Sequence, residues 1–202
     1  MSPNESLSTD VVIASYGEDL RWMSWLPDSW RHFVYCTKAD RTDLPDGAVI
    51  LPNVAREAGQ YLHHLATRYD ELADITLFLQ GFPFDHNAPA VIRTLLNKEL
   101  PHPICYLGAN PPMGPTHKPH FDQAKAILRK GCDVIGKEEL GDVIPFSVGA
   151  QFYVRREVVH AYPREYYQRL LDACSEPDTQ PGFAHMMEGN WGSVFDWKKF
   201  TK

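Results

Sequence analysis

A chain of 202 residues is long enough for one domain with a full core. Its 44% apolar and 23% charged content is that of a soluble globular protein, not of a disordered or fibrous one. The formal net charge of −6 argues against holding nucleic acid by bulk electrostatics, while leaving room for a local basic groove. No apolar run approaches the roughly 18 residues a membrane span needs, and the opening "MSPNESLSTD" is polar, so neither a span nor a secretory leader is expected. The four cysteines, Cys36, Cys105, Cys132 and Cys174, form no CxxC pair and mostly adjoin apolar stretches. Buried thiols in a cytoplasmic, reduced protein are the expectation.

Residues 1–9 read as a polar tail and 10–202 as one domain. "DVVIASY" (10–16), bounded by Gly17, reads as a buried strand. "EDLRWMSWL" (18–26) has helical spacing and stops at Pro27. "HFVYCT" (32–37) and "GAVILP" (47–52) are the next strands. A helix from Val54 to about Leu72 follows, with its apolar stripe on Val54, Ala58, Tyr61, Leu62, Leu65, Tyr69 and Leu72. "DITLFLQG" (74–81) is apolar almost throughout and belongs at the centre of a sheet covered on both faces.

The spacing then predicts a helix over 88–100 with Asn87 as N-cap, a strand at 103–108, and a Pro- and Gly-rich loop at 109–122. A short helix at 121–131, a strand through 151–154 leading into a short helix, and a helix over 164–174 complete the pattern. Strands alternating with helices imply an α/β fold, a single three-layer domain around a mostly parallel sheet. In such sheets ligands bind beyond the carboxyl ends of the strands. That rule points to "SYGED", "PNVARE" and "QGFPFDH".

The first of these to weigh is "NVAREAGQYLHH" (53–64). With Asn53 as N-cap, Arg56 falls where a capping box would place Glu or Gln. A cation there opposes the helix dipole by about 0.3–1 kcal/mol. A bound phosphate would reverse that penalty, since helix starts attract anions and Arg grips them bidentately. A solvated surface Arg paired with a nearby acid explains the residue equally well. Asp85 and His86 follow the central strand, where they could hold a divalent ion, act as acid and base, or merely begin the next helix. Ser15 and Tyr16 end the first strand, and Glu18 and Asp19 suit a helix start. Gly149 permits a close backbone approach, and Gln151 in an apolar strand needs a partner, from protein or ligand. In "HMMEGNW", Glu188 beside Trp191 has the make-up of a general base on an apolar platform, or of a packed C-terminal helix.

No GxSxG, P-loop, GxGxxG or HExxH is present. The runs "VVIASYGEDLRWM", "LPNVAREAGQYLHHLATRYDELADITLFLQGFPFDH" and "PFSVGAQFYVRREVVHAYPREYYQRLL" resemble a large family of uncharacterised bacterial and fungal proteins, a domain of unknown function. Its pattern is N-x-G-R-E-A, then Y-L-x-x-I, an apolar strand and G-A-Q-F. Ala55 stands where the pattern favours Gly. More distantly, the arrangement is similar to GT-A glycosyltransferases, which bind a nucleotide sugar at the ends of parallel strands. That likeness implies Ser15, Tyr16, Asp19, Asn53, Arg56 and Glu57 on the donor and its diphosphate. It implies Gly149, Ala150, Gln151 and Trp191 at the acceptor, with Asp85, His86 and Glu188 catalytic. It leaves room for a divalent cation, Mn²⁺ or Mg²⁺, at Asp85 and His86, although no DxD occurs. The implied partners are a nucleotide sugar and a polysaccharide, small glycoside or hydroxylated base. Two other readings stay open: a metal-dependent hydrolase built on Asp85, His86, His117, His120 and His185, and a non-catalytic nucleotide- or sugar-binding module.

Overall fold

The computed structural model describes residues 7–85, 88, 91–92, 104–107, 150–175, 184, 187–188, 191–192 and 194–195. Strand β1 (Thr9–Ser15) is buried along its whole length. It pairs in parallel with β2 (Arg31–Cys36) on one side and with β4 (Ile75–Gln80) on the other. A two-residue β3 (Val49–Ile50) extends the sheet in parallel beyond β2. Beyond β4 lies β6 (Phe152–Arg155), antiparallel to β4 and to the outer β5 (Ile104–Tyr106). Among the described residues the sheet has six strands in the order β3-β2-β1-β4-β6-β5.

The fold is α/β, as the alternation implies, but the sheet is mixed. Strand patterning carries no direction, so the reversal of β6 was not readable. The strand ends beside the amino end of β4, where Arg156 N–H donates to the Asp74 carbonyl at 2.9 Å. The chain then turns at once into α2 (Arg156–Val159) and α3 (Arg164–Cys174).

Side chains alternate across the strands and divide the core in two. Val12, Ala14, Tyr35, Phe78, Phe152 and Val154 face α1 (Glu57–Thr67), α3 and the buried Met187, Trp191, Val194 and Phe195. Val11, Ile13, Val34, Leu77, Leu79 and Tyr153 face Trp22, Leu26, Trp30 and Val91. Both faces of the sheet are thus covered. At its amino end Arg31 Nε and Nη2 grip both oxygens of the buried Asp10 at 2.6 and 2.8 Å. Asp10 also accepts the Ala73 N–H, so one carboxylate ties β1, β2 and the entry to β4.

Several expected elements are shorter. The segment 18–26 forms only a 3-10 turn, Arg21–Trp25, because the Trp22 indole N–H donates to the Gly81 carbonyl at 2.7 Å and Pro27 ends the run. The long helix expected over 54–72 spans Glu57–Thr67, followed by a 3-10 turn at Tyr69–Glu71. Backbone at 84–85 is already helical, and Asn87, the expected N-cap, lies outside the described residues. The helix at 164–174 forms as expected. Cys36 and Cys174 are both buried. The loop at 109–122, the helix at 121–131 and Cys132 lie outside the described residues.

Candidate functional site

From β1 the chain steps outward through β2 to β3, then returns to the other side of β1 as β4. The carboxyl ends of β1 and β4 therefore flank a topological switch point, where the diverging connections open a crevice. A cleft of about 430 Å³ occupies it. It is lined by Ala14, Ser15, Tyr16 and Glu18 after β1, Thr37 after β2, and Asn53, Arg56, Glu57 and Gln60 around the start of α1. Gln80, Phe82 and Asp85 after β4 complete the lining.

One carboxylate oxygen organises the β1 side. Glu18 Oε2 accepts the Tyr16 N–H at 2.7 Å, the Gly17 N–H at 3.1 Å and the Ser15 hydroxyl at 3.1 Å. It rests on Gly81, where an added Cβ would meet it at 2.3 Å. Gln60 serves the same strand end, its Oε1 accepting the Ser15 N–H at 3.1 Å and its Nε2 donating to the Arg56 carbonyl. Ser15 is therefore buried and its hydroxyl is committed. Tyr16 is more than half exposed at the cleft wall.

The start of α1 differs from the expectation. Asn53 is not the N-cap; the helix begins at Glu57, with Arg56 in the cap position. Ala55 and Arg56 both have φ 52°, a left-handed region that residues with a Cβ seldom enter. The turn lies against the helix because Gly59 is bare: a Cβ there would sit 2.2 Å from the Val54 carbonyl oxygen. The cation is thus one step outside the helix, and the acidic Glu57 occupies the first turn, as the dipole prefers. Arg56 is left exposed at the cleft.

Glu57 is half-buried, and burial pushes its carboxyl up to about 7; the nearby Glu188 charge adds to the rise and Arg56 opposes it. Below it lies the fully buried Tyr61, whose phenol is pushed well above its ordinary range by burial and by the charges of Glu57 and Glu188. Its hydroxyl has no hydrogen-bond partner among the described residues. The glycosyltransferase likeness implies Glu57 at the diphosphate and Glu188 in proton transfer. The structure puts Glu57 on the cleft wall, with Glu188 close enough to act on it electrostatically but outside the lining.

Asp85 lines the cleft and is exposed. Asp19 faces an adjoining depression with Gly17, Leu20 and Leu44, where hydrogen bonds from the Arg21 side chain and backbone lower its carboxyl. Trp191 is fully buried among Phe152, Phe195 and Tyr61, so it fills the core and presents no platform to an acceptor. Ala150 is buried at φ 49°, and the buried Gln151 donates from Nε2 to the Pro83 carbonyl at 3.0 Å. Gln151 thus braces the turn that carries Phe82 and Asp85. His86, Gly149, His117, His120 and His185 lie outside the described residues. Among the described residues no cluster of three His, Cys, Asp or Glu side chains is placed to hold a metal ion. No helix among them is long and apolar enough to cross a membrane.

Sequence reasoning missed Glu18, Gln60, Gln80 and Phe82. Gly59 and Gly81 were the available signal, since each marks a place where another group lies against bare backbone. No curated protein matches the chain. Residues 11–98 match the model of a family described as a protein of unknown function (DUF3431), and that stretch contains every described residue of the cleft lining.

Proposed function

We propose that the cleft binds a nucleotide-diphosphate sugar and transfers the sugar to a hydroxyl acceptor, the chemistry of a GT-A-like glycosyltransferase. One observation carries the reading: a switch-point cleft where an exposed Arg56 adjoins Glu57, a carboxyl poised near 7. A base of that strength suits proton removal from an alcohol at neutral pH. In the transfer, Glu57 takes the acceptor hydroxyl proton as the acceptor oxygen bonds to the anomeric carbon. The bond from that carbon to the diphosphate breaks, and the nucleoside diphosphate leaves against Arg56, whose guanidinium balances its growing charge. Amides at Asn53 and Gln80, both in the lining, offer hydrogen bonds suited to sugar hydroxyls.

Among the described lining residues Glu18, Glu57 and Asp85 outnumber the cation Arg56, so a bare diphosphate would be repelled. A divalent cation arriving with the nucleotide relieves that repulsion by shielding the diphosphate charge. Mg²⁺ and Mn²⁺ commonly bind through one or two carboxylates, waters and substrate phosphates. Asp85 fits that role, because Glu18 is already committed to three donors.

Calorimetric titration with UDP and GDP, with and without Mn²⁺, tests the reading. Binding is expected, and Arg56→Ala should weaken it about ten- to a hundredfold, the worth of a charge-assisted contact. Failure of both nucleotides to bind in either condition, or full affinity in Arg56→Ala, would overturn it.

A further inference from the structure

Behind the Glu57 wall of the cleft, two buried donors have nothing to donate to. The Tyr61 hydroxyl and the Trp191 indole N–H both lack a hydrogen-bond partner among the described residues, although both side chains are fully buried. Their rings pack together with centroids 5.9 Å apart. A buried polar group is seldom left unpaired, because it has already given up its hydrogen bonds to water. Such a donor calls for an acceptor that arrives in another state of the molecule.

Helix geometry identifies that acceptor for Tyr61. Glu57 precedes it by four residues on α1 and so lies on the same face. Aromatic side chains on a helix lean back toward its amino terminus, over the residues three and four before them. The Tyr61 ring therefore leans toward Glu57 and the cleft. Its packing agrees, since it rests on Phe78 at 4.8 Å, two residues before Gln80 of the cleft lining. Of the carboxyl charges that bear on the Tyr61 hydroxyl, Glu57 has the larger effect and Glu188 the smaller. Glu188 stands three residues before Trp191, about one helical turn away. A neutral Glu57 carboxyl asks little of its surroundings. An ionised one, half-buried, needs donors that water supplies only in part.

We propose that Tyr61 is a positioning residue for the base: its O–H donates to one oxygen of the ionised Glu57 carboxylate and leaves the other oxygen facing the cleft for the acceptor's proton. This role rests on the reading of Glu57 as the base. Tyr61 keeps its own proton throughout, since burial and the charges of Glu57 and Glu188 hold the phenol well above its ordinary range. The acceptor's proton therefore ends on Glu57. The other charges around that carboxylate are Arg56, which favours it, Glu188, which opposes it, and Glu18 and Asp85 elsewhere in the lining.

The test follows the full-length chain by NMR, labelled with ¹³C in the glutamate carboxyls and the tyrosine rings, from about pH 4 to 9. Glu57→Gln and Tyr61→Phe assign the two signals. In wild type the Tyr61 Cζ signal should move at the pH where Glu57 ionises. Tyr61→Phe removes a donor from the ionised form, so Glu57 should titrate about one pH unit higher. The thermal midpoint of that variant should hold at about pH 5, where Glu57 is neutral and the hydroxyl is idle. In turnover assays the acid limb of kcat should rise by the same unit, with KM for the nucleotide unchanged.

The proposal is overturned if the wild-type Tyr61 signal stays flat while Glu57 titrates, or if Tyr61→Phe leaves the Glu57 titration where it was. It is also overturned if Tyr61→Phe lowers the midpoint at about pH 5, which would give the hydroxyl a structural partner. Loss of the coupled titration in Glu188→Gln would overturn it by making Glu188 the acceptor. The titrations need no substrate. Coupling between Tyr61 and Glu57 in a protein that binds no nucleotide would refute the transfer reading and leave this contact standing. Nucleotide-dependent turnover with uncoupled titrations would do the reverse.

Discussion

Replacing Glu57 by Gln removes a carboxyl that the fold holds at a cost, and the cost can be worked out. The carboxyl titrates at about 7 in the folded protein against an ordinary 4.5. A raised carboxyl contributes its full stability below pH 4.5 and loses it as pH rises through 7, because the unfolded chain ionises first. The gap of two to three pH units, at about 1.4 kcal/mol each, corresponds to about 3 kcal/mol. Gln keeps the shape and stays neutral. Glu57→Gln should therefore match the parent near pH 4 and exceed it by about 3 kcal/mol at pH 8. Urea denaturation across that range would show midpoints that coincide in acid and separate by roughly 1 M in base. The same variant should lose about a hundredfold or more in turnover if Glu57 is the base. A constant offset at every pH, or a loss of stability at pH 8, would refute the reasoning. The first result would mean that the carboxyl titrates alike in the folded and unfolded chain, the second that the carboxylate is ionised and paired in the folded protein.

His64 tests the opposite sign. It is fully buried with Nδ1 3.0 Å from the Tyr35 hydroxyl, and burial, reinforced by Arg68, His63 and Arg31, pushes its pKa down to about 3. Its stability contribution is complete above the unfolded value of about 6.5 and drains as pH falls toward 3, at about 1.4 kcal/mol per unit. His64→Leu should gain about 2–3 kcal/mol relative to the parent between pH 6.5 and 4.5, read by chemical denaturation; parallel curves would remove His64 as the acid-sensitive group. Gly59→Ala should cost about 2–3 kcal/mol, since the new Cβ meets a backbone oxygen that cannot swing aside. A thermal midpoint unchanged in that variant would mean that the 53–56 turn does not lie on the helix as described.

The sequence made some of this legible and hid the rest for physical reasons. The apolar run at 74–81 and the stripe on α1 revealed the core because burial writes itself as periodicity. The rule that ligands gather at strand ends led to Ser15, Tyr16, Arg56 and Asp85, all of which line one cleft. The left-handed turn at Ala55 and Arg56 was not legible, because Asn53 has the chemistry of an N-cap and neither residue is a glycine. Trp191 looked like an acceptor platform, but residue type cannot separate a buried ring from an exposed one. Glu18 has the chemistry of a helix start; its packing on Gly81 depends on β4 arriving beside β1, which no local pattern encodes.

The stretch matched by the family model and the unit that can fold are different objects. The match ends at residue 98, yet the far edge of β4 is closed by β6, and Phe78 and Tyr61 rest on Phe152 with ring centroids 4.9 and 6.0 Å away. A fragment cut at the match boundary would carry every described cleft residue. It would also expose an unpaired central strand and two uncovered aromatic rings, the form most prone to pair with its own copies. Among the described residues the later half of the chain thus covers the open edge and one face of the sheet built by the first, and Gln151, just before β6, adds the brace beneath Pro83 at the cleft wall.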